Sequence, residues 1–257
     1  MKCLFLAAGY ATRLYPLTEN FPKPLLDVAG RSILDRLIDD LDTTGLIDAY
    51  AVVTNHKFAG HFRAWAEKYG DRMQVVDDGT STNETRLGAV RDIRFAIEAL
   101  GWEDDCLVLA GDNLLSFSLT SFLDYAAAKG TSCIMRYHEP SVRRLRKSGV
   151  VKIDRSGRVL SMEEKPQAPQ SHWCCPPFYF YKKADLARLD DALKAGCGVD
   201  APGSLAAWIA SVAPVYAMKM PGPATTSAPS TVTAPSAGSS RRNSGRQNPA
   251  SAPNPRR

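Results

Sequence analysis

Residues 6–26 read LAAGYATRLYPLTENFPKPLL and follow the strand-like run Lys2-Cys3-Leu4-Phe5. A strand that ends in small residues and opens into a loop carrying Gly9, Thr12, Arg13 and Lys23 has the parts needed to wrap a polyphosphate. Ala7, Ala8 and Gly9 carry almost no side chain, so a ligand can come close to the backbone N–H groups, and Gly9 has dihedrals closed to other residues. Arg13 offers a planar fork of donors and Lys23 a point charge, both suited to phosphate oxygens. This chemistry predicts a nucleoside triphosphate as ligand.

Two later segments add carboxylates. The apolar strand Leu107-Val108-Leu109-Ala110 ends in Gly111-Asp112-Asn113. The carboxyl end of a central strand is where open α/β sheets bind ligands, and a carboxylate there can hold a divalent cation such as Mg2+. Further on, Ser161-Met162-Glu163-Glu164-Lys165-Pro166 sets a carboxylate beside an ammonium, which suits a ligand polyhydroxylated at one end and anionic at the other. The histidines (56, 61, 138 and 172) are scattered without acidic or cysteine partners at ligand spacing, which argues against a histidine metal site.

In sequence and spacing, the submotifs Leu-Ala-Ala-Gly, Thr-Arg-Leu, Pro-Leu-Thr and Pro-Lys-Pro-Leu-Leu resemble the signature loop of the sugar-1-phosphate nucleotidyltransferases. The resemblance covers roughly residues 1–220 and departs at Ala11, where the family usually has a second glycine. It implies an α/β, Rossmann-like fold with a mostly parallel, mixed sheet flanked by helices. It also implies transfer of a nucleotidyl group from a triphosphate to a sugar 1-phosphate, with release of pyrophosphate and no covalent intermediate. By the same resemblance Ala8, Gly9 and Thr12 contact the nucleotide, Arg13 and Lys23 hold the triphosphate, and Asp112 binds Mg2+. Glu164 would accept hydrogen bonds from sugar hydroxyls, Lys165 would contact the sugar phosphate, and Gly149 would lie near the sugar. Asp78-Gly79-Thr80 and Gly88 occupy the stretch where the family reads base and ribose. Gly88, at a helix start, would let a base or sugar lie against backbone. Common substrates of similar proteins make dTTP or UTP with glucose 1-phosphate the expected pair. Two rivals stay open: a cytidylyltransferase for another phosphorylated alcohol, and a catalytically impaired protein that binds nucleotide and sugar phosphate without turnover.

The elements that must carry these residues follow from periodicity. Ser32 followed by Asp35 predicts a capping box opening a helix to about Leu41, and Tyr50–Thr54 predicts a strand. A helix is expected over Lys57–Tyr69, burying Phe58, Phe62, Trp65 and Tyr69, followed by a strand at Met73–Val76, a helix over Thr85–Leu100 and a strand at Cys106–Ala110. Such alternation predicts a parallel sheet with crossover helices. Strand-like runs at Ser132–Arg136, Gly149–Ile153, Val159–Met162 and Phe178–Tyr181 add mixed strands, and helices return over Ala184–Leu193 and Ser204–Val212.

The net charge of +5 arises from Arg241, Arg242, Arg246, Arg256 and Arg257, because residues 1–220 hold 27 bases and 27 acids. A neutral body argues against a nucleic-acid partner, and the run Arg143–Lys147 reads as a solvated loop. No apolar stretch is long enough to cross a bilayer, the amino terminus lacks the pattern of a signal peptide, and six cysteines without paired-ligand spacing predict a reducing, cytoplasmic setting. A homo-oligomer is compatible with the sequence, which does not specify one.

From Pro221 onward Pro, Ala, Ser, Thr, Gly and Arg dominate and Val232 is the one aliphatic residue larger than alanine, so residues 221–257 are expected to be disordered. In the resembling family a strand like Val215–Met218 is followed by Tyr-Asp-Ile-Gly-Thr, whose Asp is a second magnesium ligand. Here that segment is missing. One permitted set of codons for Ala224–Thr233, read from its third base, encodes Tyr-Asp-Ile-Gly-Thr-Val-Asp-Ser-Tyr. The tail is therefore read as translation of a shifted frame that begins near Pro223, with the lost aspartate falling about where Thr226 stands. Resequencing the coding DNA should show Tyr-Asp-Ile-Gly-Thr in the shifted frame; any other reading there refutes the frameshift.

Overall fold

A computed structural model describes the backbone of residues 1–225 and 232–233, and the side chains of residues 1–223 other than Arg13. In chain order the strands and helices of the first half are β1 (Lys2–Leu6), β2 (Asp27–Val28), β3 (Arg31–Ser32), α1 (Ile33–Asp42), β4 (Ala49–Thr54), α2 (His56–Ala66), β5 (Met73–Asp77), α3 (Ala89–Leu100), β6 (Cys106–Ala110) and β7 (Leu114–Leu115). The second half has α4 (Thr120–Lys129), β8 (Ser132–His138), α5 (Val142–Leu145), β9 (Gly149–Ile153), β10 (Val159–Glu164), β11 (Trp173–Cys175) and β12 (Phe178–Tyr181). It closes with α6 (Lys183–Leu186), α7 (Leu189–Lys194), α8 (Gly203–Val212), β13 (Val215–Lys219), β14 (Ala224–Thr225) and β15 (Val232–Thr233).

One ten-stranded sheet runs β10-β9-β11-β8-β12-β6-β1-β4-β5, with β13 also pairing with β8. Strands β5, β4, β1 and β6 are mutually parallel, joined by the crossover helices that the first-half pattern predicts. Beyond β6 the sheet turns mixed, since β12 runs antiparallel to both β6 and β8. Side chains alternate across each strand, so both faces are apolar. Cys3 and Phe5 of β1 pack with α1, α2 and α4 on one face, while Leu4 packs with α3 and α8 on the other.

Several boundaries differ from the periodicity, each for a local reason. Helix α3 begins at Ala89 rather than Thr85, because residues 82–85 close a hydrogen-bonded turn and Gly88 takes φ +93°. The single helix expected over Ala184–Leu193 is two, broken at Arg188, whose ψ of 8° leaves the helical range. Helix α4 adds an element between β7 and β8 beyond those expected from periodicity, and it buries Phe122, Leu123 and Ala126 at helical spacing. Pairing also continues past residue 220, where disorder is expected to begin: β14 pairs with β7, and β15 with β2. Strand pairing uses backbone N–H and C=O groups, which composition does not report. Residues 226–231 and 234–257, including all five tail arginines, lie outside the described residues.

The expected capping box forms by half. Ser32 Oγ accepts from the Asp35 N–H at 3.1 Å. The Asp35 carboxylate instead accepts from Trp65 Nε1 at 2.8 Å, Tyr69 Oη at 2.6 Å and Lys68 Nζ at 2.6 Å, tying α1 to the end of α2. Burial raises its pKa, but hydrogen bonds from Lys68, Tyr69, Trp65 and Ser32 outweigh burial and hold it at about 2. A folded pKa below the unfolded value gives stability that is present above about pH 4 and is lost as pH falls towards 2. Asp35→Asn should therefore destabilise the protein by about 2 kcal/mol at pH 7, with the gap from wild type closing between pH 4 and 2 in urea unfolding.

Candidate active site

Strands β1 and β6 are parallel neighbours with Leu6 paired to Ala110, so both release their chains at the same edge of the sheet. Gly111 N–H donates to the Leu6 carbonyl at 3.0 Å, which sets the loop after β1 beside Asp112. Lys23 closes the arrangement: its Nζ lies 2.7 Å from Asp112 Oδ2, and the residue is buried in a 3-10 turn, Lys23–Leu25, bounded by Pro22 and containing Pro24. Asn55 anchors the loop's other end. Its Nδ2 donates to the Ala8 carbonyl at 3.0 Å while its Oδ1 caps α2 through Phe58 N–H at 3.1 Å.

The face of Gly9 is open, since a Cβ built there meets nothing within 4 Å. Ala11 takes φ +46°, the left-handed region, at the position where the family carries glycine. That conformation costs alanine about 1 kcal/mol. Thr12 is exposed and starts the 3-10 turn Thr12–Leu14; the reach of the Arg13 side chain within that turn lies outside the described residues.

Across the sheet edge lies a cavity of about 760 Å³. Asn113 lines it beside Gly149, Glu164 and Pro223, so it adjoins the Asp112 edge. Two glycines make room for Glu164. A Cβ on Gly149 would sit 2.8 Å from Glu164 Oε1, and one on Gly203 would sit 1.9 Å from it. Burial raises the Glu164 pKa, and the nearby Lys165 charge lowers it in part.

The structure gives two of the expected site residues the following protein surroundings. Gly88 keeps the expected need for a bare backbone, but the neighbour is protein: a Cβ there would lie 2.7 Å from the Val199 carbonyl, which accepts from Val90 N–H at 3.0 Å. Lys165 is exposed, with φ +50° and its N–H bonded to the Ser148 carbonyl at 3.0 Å, and it does not line the cavity. The run Arg143–Lys147, read as a solvated loop, in part faces the cavity, which Arg144 and Lys147 line together with Glu139 and Lys219. The usable signal was position, because Lys147 directly precedes Ser148-Gly149. In the stretch expected to read the base, Asp78 accepts from its own turn, from Thr80 N–H at 2.7 Å and Thr80 Oγ1 at 2.8 Å. Close by, burial and then the Asp78 charge push Asp92 up to about 7.

The model of the nucleotidyl transferase family matches residues 2–196, from β1 through α7. The chain belongs to that family. A glucose-1-phosphate thymidylyltransferase of Neisseria gonorrhoeae is 31% identical over 185 residues, 70% of this chain and 61% of that protein. A second, from Mycobacterium tuberculosis, is 30% identical over 203 residues, 76% of this chain and 65% of the relative. The chain thus spans under two thirds of the length of either relative. Among solved structures, a UDP-glucose pyrophosphorylase complexed with UDP-glucose superposes with a TM-score of 0.70 at 18% identity, covering 88% of this chain and 92% of the other. That likeness shows a shared nucleotidyltransferase fold.

Magnesium, which the family resemblance implies, finds an incomplete set of ligands. Among the described residues no three His, Cys, Asp or Glu side chains cluster, and one Asp112 oxygen already accepts from Lys23. One carboxylate neutralised by an ammonium does not make a magnesium site.

The glycine cradle is testable. Gly203→Ala should push the Glu164 carboxylate out of its recess towards water, lowering its pKa towards the ordinary glutamate value. Titration of carboxyl-labelled glutamates by NMR reads this directly, and an unchanged Glu164 would refute the cradle.

Proposed function

We propose that this nucleotidyl transferase family member transfers a nucleotidyl group from a nucleoside triphosphate to a sugar 1-phosphate. The observation that carries the reading is the shared edge of β1 and β6, where the open Gly9 loop and the Lys23–Asp112 pair adjoin a cavity holding the recessed Glu164. In the step, an oxygen of the sugar phosphate attacks the α-phosphorus of the triphosphate. The bond from that phosphorus to the bridging oxygen breaks, and pyrophosphate leaves with the electron pair. No covalent enzyme intermediate forms, so the protein's work is to position two anions and offset their charge.

Backbone N–H groups about Ala8 and Gly9, with Thr12, would receive the nucleotide, while Arg13 and Lys23 would offset the triphosphate charge. Glu164 would orient the sugar by accepting from its hydroxyls. The thymidylyltransferase names of two relatives favour dTTP with glucose 1-phosphate, and UTP is the other triphosphate that the sequence motifs suggest. Free thiols at all six cysteines and the lack of a bilayer-length apolar helix among the described residues support a cytoplasmic setting.

The chain as written has half of a cation site, and the frameshift accounts for the other half. Supporting this, Thr225 of β14 pairs with Leu114 of β7, two residues beyond Asp112. An aspartate restored at about position 226 would directly follow that paired residue in the chain. Magnesium, once bound by both carboxylates, would supply charge neutralisation at the phosphates.

A matrix of triphosphates against sugar 1-phosphates, read by pyrophosphate release, tests the proposal on this chain and on one with its frame restored near residue 223. The repaired chain should release pyrophosphate only when triphosphate, sugar 1-phosphate and a divalent cation are together, and the chain as written should be at least about 10²-fold slower. Release without a sugar phosphate, or equal rates in the two chains, would overturn the respective assignment.

A further inference from the structure

We infer that Lys147 and Lys219 hold the phosphate of the second substrate, from two elements that meet only in the folded chain. This deepens the proposed function and rests on it. Three cations line the cavity: Arg144, Lys147 and Lys219. Arg144 is already committed, its Nε lying 3.0 Å from Glu139 Oε2. Glu139 is buried, and its other oxygen accepts from the Ser141 N–H at 2.8 Å, so the Arg144–Glu139 pair is closed and adds no net charge. Among the described residues neither Lys147 nor Lys219 forms an ion pair. With Arg144 and Glu139 paired, these two lysines face Glu164 as the remaining acid of the lining, and the positive balance favours an anionic ligand such as a phosphate monoester, which carries roughly −2 near neutral pH.

Their positions suit the proposed step. Lys147 lies in the turn that leads from α5 into β9, just before Ser148 and Gly149, so it approaches from the wall that holds Glu164. Lys219 ends β13 and is followed by Met220, Gly222 and Pro223, which also line the cavity. The Pro223 carbonyl accepts from Ser116 N–H at 3.3 Å and Ser116 Oγ at 3.0 Å, which fixes this segment beside the strand that follows Asp112. A sugar phosphate held by Lys219 and Lys147 would thus present its anion to the edge where the triphosphate loop sits, with its hydroxyls near Glu164. Lys165, exposed like both of these lysines, does not line the cavity.

Calorimetric titration of the full chain with glucose 1-phosphate, glucose and UTP tests the inference. Wild type should bind glucose 1-phosphate more tightly than glucose. The double variant Lys147→Ala/Lys219→Ala should lose about 10-fold or more of the affinity for glucose 1-phosphate and most of the preference over glucose, with UTP affinity changed less than about 3-fold. Lys147→Arg/Lys219→Arg should restore most of the loss. A double variant that keeps its affinity, that loses UTP binding equally, or whose effect is reproduced by Lys165→Ala alone overturns the inference and leaves the proposed function standing. Wild type that binds UTP but does not distinguish any sugar 1-phosphate from its free sugar overturns both, and that result is read in the unmodified chain.

Discussion

Lys23 and Asp112 are 89 residues apart in the chain and 2.7 Å apart in space. Lys23 is 8% exposed, and an ammonium withdrawn that far from water is costly unless an anion meets it. Asp112 is that anion only because β6 lies parallel to β1 with Ala110 level with Leu6. A slip of one residue would turn the side chains of β6 to the opposite face. A slip of two would carry Asp112 roughly 7 Å along the edge, out of reach of Lys23. The turn that presents Lys23, the open glycine before it and the cavity beyond Asn113 all refer to this one register.

The other half of the site depends on close backbone approach. The segment from Val199 to Gly203 lies against Gly88 at one end and against Glu164 at the other. Val90 N–H donates to Val199, and Arg86 reaches Asp200 at 3.5 Å, so the segment is fixed to the start of α3. It therefore spans from the helix that follows β5 to the strand that carries Glu164. A bare backbone at Gly88 serves this junction, and bare backbones at Gly149 and Gly203 leave the recess in which a carboxylate can stay buried.

Backbone pairing continues beyond residue 220, at the edge that carries Asp112. Strand β14 still pairs with β7 beside Asp112, because a two-residue ladder asks only for backbone donors and acceptors. Residues 224–230 are Ala, Thr, Thr, Ser, Ala, Pro and Ser and offer no carboxylate, and the described side-chain partners of Asp112 are Lys23 and Asn113, whose Nδ2 donates to Asp112 Oδ1 at 3.2 Å.

Local patterns determined much of this protein by sequence alone. The apolar runs at Cys3–Leu6, Cys106–Ala110 and Phe178–Tyr181 mark strands because burial on both faces demands unbroken hydrophobicity, and the small residues at 7–9 mark a backbone open to a ligand. The family motifs were equally legible, since they are contiguous. Tertiary structure alone decided which distant groups meet: Asp35 with Trp65 and Tyr69, Gly88 with Val199, and Lys147 with Lys219 across one cavity. Periodicity reports which face of an element is apolar, whereas a site is made where elements far apart in the chain converge, and that convergence is set by strand order and register in the folded sheet.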